Sequence, residues 1–400
     1  MRNRLSYCAI AALLVACGSS NAIVADADGG VPDGDVSVDG GTRDGGLRVD
    51  DGGLATDGEA GKGTPAPVGV PLVGGDDAHI ATDGTVFMAS WTVRSGVQVV
   101  RFKADGGFLD AGPVTVAGCR VSSNDVAFDG TNFVVACVGG TQAAATVLAT
   151  RFGADGHVVD STPRGFAIVD ARGSEGPSVA LASNGANTAV VWTDPFTSRV
   201  ALTRLGKDGV VGAVTQVGTL RDLPMPTHVS VGTDGTDYLV AFSDNTELLA
   251  QAVSGATPSL LGGRVVIEKR VAPAKPADVW TFTAGNPSVA WSGTEWAVAA
   301  DRFATDGTNS SVLYRVSRNG VVTPPVPVWN SAPDTNGAFP RAVWSSPDWL
   351  LAYQTGAATL GVARVTTDGA VVRTGDASRG VGAACANGSA GIVCVWAGAK

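Results

Sequence analysis

The sequence predicts an all-β chain, a β-propeller with seven blades, and three observations carry that expectation. A degenerate unit, roughly Val-Ala-x-Asp-Gly-Thr-x-Phe-x-Val-Ala-Trp followed by Arg-Phe-x-x-Asp-Gly, returns seven times between His79 and Trp396. The copies open near His79, Asp125, Ser178, His228, Ser288, Arg341 and Val381, at spacings of 46, 53, 50, 60, 53 and 40 residues, longer than leucine-rich or helical repeats. Within each copy, short apolar runs are separated by Gly, Asp, Asn and Thr. A unit that cannot bury its own apolar face must stack on copies of itself, and a ring lets every copy do so.

The chain opens with an export signal. Arg2 and Arg4 precede the apolar run Ala9 to Ala16, too short to span a bilayer as a mature helix. Leu14-Val15-Ala16-Cys17, followed by Gly18-Ser19-Ser20, resembles the lipobox of bacterial lipoproteins. That resemblance implies cleavage after residues 1–17 and acylation of the Cys17 thiol. At about 0.8 kcal/mol per buried methylene, two or three acyl chains would hold the protein on a membrane. Gly18 in place of Asp implies sorting to the bacterial outer membrane, with the leaflet open.

Residues 18–65 read as a disordered linker. Asp-Gly steps recur at Asp28, Asp33, Asp39, Asp44, Asp51 and Asp57, with too few apolar side chains to offset ordering entropy. Ten acidic residues against Arg43, Arg48 and Lys62 put −7 of the chain's −9 in this stretch, so the acidity describes the linker more than the folded part. Its mean reach is about 40 Å. Neither Asp26-Ala27-Asp28 nor Asp33-Gly34-Asp35 continues into an EF-hand loop.

Residues 66–400 read as the propeller domain. Val86 to Trp91, Phe133 to Cys137 and Thr188 to Trp192 are strands by their branched and aromatic content, preceded by turns at Asp83-Gly84, Asp129-Gly130 and Asn184-Gly185. A second hairpin follows in most copies, as at Arg101-Phe102 then Asp105-Gly106, which makes four antiparallel strands, A to D. Copy four departs, with Ala250-Gln251-Ala252-Val253 where the Arg is expected and an irregular insertion from Gly255 to Ala284 that would leave six blades as the alternative count. The last copy lacks its outer strands, while residues 66–75 form an orphan strand before copy one. Joining them closes the ring. Trp91, Trp192, Phe242 and Tyr353, each eight residues after its turn, are expected between blades.

Repeats such as Phe128-Asp129-Gly130-Thr131-Asn132-Phe133-Val134-Val135-Ala136, at a kelch-like length, resemble those of secreted bacterial propeller lipoproteins. Export leaves Cys119, Cys137, Cys385 and Cys394 for disulfides. Of three possible pairings the local one, each bridge within one blade, is the most economical. A zinc site is the weaker reading, because no CxxC pair is present and the histidines lie in other copies.

Chemistry is scarce. The chain has no Gly-x-Ser-x-Gly, no His-Glu-x-x-His and no phosphate loop, and no cofactor is implied. One constellation follows from the architecture: innermost strands start on one face, which places His79, Asp125, Ser178, His228, Ser288 and Arg341 around one channel mouth, with the B–C loops beside them. His79, Asp125, His228 and Arg341 are the candidate ligand-binding residues. The other face, mainly Asp-Gly turns, is expected to be structural. Two functions fit. One is an anchored binding module for a polymer, glycan or protein; the other is a polysaccharide hydrolase or lyase at the mouth. The absence of a clustered second carboxylate favours the binder. Nucleic acid is excluded by the lack of a basic stretch, and a monomer is expected.

Overall fold

A computed structural model of the chain describes residues 68–141, 144–160, 164–169, 177–194, 197–220, 228–244, 247–269, 285–303, 308–330, 338–356, 359–379, 381–389 and 391–397. The leader with Cys17, the linker and residues 270–284 lie outside them. Every element among the described residues is a strand, and no helix there is long and apolar enough to cross a membrane. The strands form seven sheets, six of four strands and one of three. In each sheet the first strand is innermost: Asp76–Thr82, Cys119–Phe128, Val179–Ser183, Val229–Thr233, Gly285–Trp291, Ala338–Ser345 and Val381–Gly388 lie side by side around a ring. The seven-bladed propeller stands.

The A–B turns are made by local chemistry. Asp83 Oδ1 accepts from the backbone N–H of Thr85 and Val86, both at 2.7 Å, and Gly84 takes φ +102°. Asp129, Asn184 and Asp234 cap their turns in the same way. These side chains hold the backbone where a two-residue reversal needs positive φ. The turn face is therefore structural.

Strand B of each blade is buried along nearly its whole length, and the apolar clusters sit between neighbouring blades. Trp91 packs with Ala384, Val393 and Val395 of blade seven, Trp192 with Val134 and Ala136 of blade two, Phe242 with Ala180 and Val191 of blade three, and Tyr353 with Trp329 of blade five. Each such side chain contributes about 1.5 to 3 kcal/mol by leaving water.

The strand C arginines reach the next blade. Arg101 donates to the Ala154 carbonyl at 2.5 Å, Arg151 to Lys207 O, Arg204 to Ser254 O and Arg315 to Thr367 O, each on a C–D turn. In copy four, Ala252 holds the equivalent register, and the neighbouring Gln251 donates within its own blade, to Ala252 O at 3.0 Å and Leu261 O at 3.2 Å. Part of the expected insertion in that copy is regular structure, since Leu260–Lys269 is strand D of blade four. The disulfides are the local pair: Cys119 to Cys137, with Cα atoms 5.6 Å apart, and Cys385 to Cys394, directly opposite across one hairpin.

Ring closure uses Val68–Leu72, which pairs with Gly391–Ala397 of blade seven in parallel. The direction follows from the connection. Only Val73, Gly74 and Gly75 separate this strand from Asp76, so it must end on the face where strand A of blade one begins, and strand B of blade seven runs the same way. An outer-type strand thus sits directly beside strand B, and the blade has three strands. Gly75 has φ +121°, and a Cβ there would lie 2.0 Å from the Thr92 carbonyl oxygen. Gly75→Ala is expected to lower stability by about 2 kcal/mol. Urea denaturation checks this, and an unchanged midpoint would contradict the closure described.

Candidate functional site

The innermost strands present one edge to strand B and the other to the channel, where backbone N–H groups lack a neighbouring strand in the same sheet. Side chains of the preceding blade serve them, in two tiers. Counting back from each A–B turn by strand register, the upper tier is Asp77, Ser123, Ser178, His228, Asn286, Phe339 and Gly382. The lower tier is His79, Asp125, Ala180, Ser230, Ser288, Arg341 and Ala384. In the upper tier, Asp77 accepts from Asn124 N at 3.3 Å, Ser123 from Val179 N at 3.1 Å and Ser178 from Val229 N at 3.4 Å. In the lower tier, Asp125 accepts from Leu181 N at 2.7 Å, Ser230 from Val289 N at 3.1 Å and Ser288 from Ala342 N at 3.0 Å.

The expected mouth residues do surround one mouth, but not in one ring: Ser178 and His228 stand two residues above the register of His79, Asp125, Ser288 and Arg341. The difference is one of counting, since Ser178 and His228 lie one pleat further from their A–B turns than the other four. Strand A slips against strand B between Asp76 and His79, Gly285 and Ser288, and Ala338 and Arg341, with Asp77, Asn286 and Phe339 at φ +52°, +44° and +37°. Ser178 and Ser288 are occupied in joining blades.

His79 is held between two carboxylates, its Nε2 3.0 Å from Asp77 Oδ1 and its Nδ1 3.0 Å from Asp125 Oδ1. Both ring nitrogens face acceptors, so both carry protons. Burial alone would lower its pKa, but Asp77 and then Asp125 raise it from 6.5 to about 9. Burial would likewise raise the Asp77 carboxyl; the His79 cation, with Arg341 and the Asn124 N–H, holds it far below its ordinary 3.8. His79 therefore contributes stability that is fully present below pH 6.5 and is lost as pH rises through about 9. The Asp77 contribution is present above pH 3.8 and is lost as pH falls through its lowered folded value. The imidazole is expected to stay protonated at pH 7.5, by nitrogen-detected NMR. Titration near its ordinary value would refute the clamp.

The opposite side of the mouth is different. Among the described residues Arg341, in blade six, makes one ion pair, to Asp77 of blade one at 3.8 Å. It reaches past blade seven, where both tiers are small, Gly382 and Ala384. In blade five, Asn286 Nδ2 donates to Asp301 Oδ2 at 2.6 Å, and Asp301 is fully buried. Burial raises the Asp301 carboxyl well above 3.8, against the Asn286 bond and the Arg341 charge. His228, in blade four, is lowered by burial, so it is neutral at neutral pH. Asp77, His79, Asp125, His228, Asn286 and Arg341 border a cavity of about 790 Å³ lined by all seven inner strands, with Asp301 behind Asn286.

Asp77, Asn286 and Asp301 escaped sequence reasoning. Asp77 lies in strand A of blade one, ahead of the repeated motif, and Asp301, legible only as the start of a B–C loop, meets Asn286 where strand A bulges in blade five. The Asn-Pro step at Asn286 was the available signal for irregular backbone. Among the described residues no three His, Cys, Asp or Glu side chains are grouped to hold a metal ion.

No protein-family model and no curated protein matches the chain. Among solved structures, it is similar to the SapL1 lectin in complex with α-methyl fucoside, at TM-score 0.47 and 11% identity over 75% of this chain and 95% of that one. It is also similar to a subtype N10 neuraminidase-like protein from little yellow-shouldered bat, at TM-score 0.43 and 9% identity, over 74% of this chain and 92% of that one. A third is a DUF4623 family protein from Bacteroides eggerthii, at TM-score 0.38 and 11% identity, over 74% of this chain and 69% of that one. With TM-scores below 0.5, these likenesses leave the ligand to be argued from the mouth itself.

Proposed function

We propose that the chain is a membrane-anchored extracytoplasmic binding module, held at the outer membrane through acylated Cys17 and set off the surface by residues 18–65, that presents the channel mouth to a polymer or glycan. The observation that carries this reading is the state of the groups around the 790 Å³ cavity. His79, Asp77 and Asp125 are committed to one another and to the next blade's backbone, which leaves no poised acid and base facing one point. Polar groups spread over several blades suit distributed contacts with a hydroxyl-rich ligand. The protein is read as a monomer that needs no cofactor.

Binding and turnover of cell-envelope polysaccharides by the purified chain test the reading, alongside a His228→Ala, Arg341→Ala double variant. Binding without turnover is expected, weakened at least tenfold in the variant. Turnover lost in the variant would make the mouth a hydrolase or lyase site. Full binding by the variant would move the site elsewhere.

A further inference from the structure

The donors and acceptors of the mouth are divided by sector, and only one sector is spent. On blades one and two the carboxylates of Asp77 and Asp125 are acceptors already served, while Asp76, also in the lining, is exposed. Asp77 takes His79 at 3.0 Å and the Asn124 N–H and amide at 3.3 Å; Asp125 takes His79 at 3.0 Å, Val126 N at 2.7 Å and Leu181 N at 2.7 Å. On blades four and six, His228 and Arg341 are donors with capacity left. Arg341 carries five N–H groups and, among the described residues, makes one 3.8 Å ion pair, to an Asp77 oxygen that His79 approaches more closely. His228 has no hydrogen-bond partner among the described residues, and neither has Asn286 Oδ1, on a side chain that borders the cavity and is 8% exposed.

We infer that His228 and Arg341 form a carboxylate-binding subsite at the mouth, and that the polymer it receives is an acidic glycan. A planar carboxylate matches the guanidinium fork in two parallel bonds, which a neutral hydroxyl cannot do. The small pair Gly382 and Ala384 beside Arg341 leaves room for that approach. The glycan is favoured over an acidic peptide because most side chains of the two tiers are hydroxyls, amides, carboxylates, imidazoles or a guanidinium, and among the described residues Phe339 is the one Phe, Tyr or Trp bordering the cavity that could anchor a peptide. The inference rests on the mouth being a binding site, and its test separates the two.

Calorimetry of the full chain would compare a glucuronic acid oligosaccharide, its carboxyl-reduced form of equal length, and an acidic peptide of equal charge. The acidic oligosaccharide is expected to bind at least tenfold tighter than the reduced one, with affinity falling as salt rises. Arg341→Gln removes that preference, while Arg318→Ala, whose guanidinium lies over Trp291, leaves it intact. In the unaltered chain the His228 ring resonances should shift on adding the acidic oligosaccharide, a readout that does not depend on a variant folding. Equal affinity for the acidic and reduced forms, or an unmoved His228, overturns the subsite and leaves the binding module standing. Binding of the peptide alone overturns the glycan class. No binding of any probe overturns the subsite and the glycan reading together.

Discussion

Asp160→Ala is expected to destabilise the chain by about 3 to 5 kcal/mol, because it leaves a buried guanidinium without its counter-charge. Arg151 and Asp160 are paired at 2.7 Å with side chains 7% and 2% exposed, and Asp160 also accepts the Arg151 backbone N–H at 3.0 Å. The same guanidinium reaches the Lys207 carbonyl in the next blade, so the pair aims a tie between blades two and three as well as neutralising a charge. Blade one supplies an internal control. Arg101 and Asp110 make the equivalent pair at 2.5 Å, with side chains 12% and 18% exposed, so Asp110→Ala should cost less. In blade three Ala213 stands where the carboxylate would be, and burial lowers the pKa of Arg204, which there lacks that partner. Urea denaturation of both variants decides the matter. A loss under about 1 kcal/mol for Asp160→Ala would show that the arginine finds water or another acceptor.

The second large effect is expected at the mouth. His79→Gln should cost about 2 to 3 kcal/mol, less than Asp160→Ala because the carboxylates it leaves behind are partly solvated. Gln replaces two charge-assisted bonds with one neutral donor, so Asp77 and Asp125 face each other without the cation between them. Adding Asp77→Asn to His79→Gln should recover at least half of the loss, since one of the two like charges is then gone. Thermal denaturation of the two single variants and the double variant closes the cycle. Strict additivity would mean that the two groups do not interact.

The blade rhythm was legible because it is local chemistry. An Asp or Asn caps its own turn two and three residues on, and Gly supplies positive φ next to it, so Asp83-Gly84, Asp129-Gly130, Asn184-Gly185 and Asp234-Gly235 mark A–B hairpins without reference to the rest of the fold. Cys385 and Cys394 were readable as partners for the same reason, since a hairpin sets them opposite each other. The mouth was only half legible. Counting along the chain placed His228 beside His79, but strand register counted from each A–B turn places them on different tiers.

By itself, the sequence determined an all-β chain of seven repeating hairpin units and the turns that bound them, and it made the pairing of cysteines within one unit the most economical of three, all interactions spanning fewer than about twenty residues. Tertiary structure alone decided the rest. The parallel entry of Val68–Leu72 beside strand B of blade seven depends on where a three-residue link must deliver the chain. The strand C arginines find carbonyls about fifty residues away, and His79 joins carboxylates from two blades. Such contacts exist only once the ring has closed, because closure is what brings one blade's free donors to the next blade's free acceptors and excludes the water that would otherwise serve both.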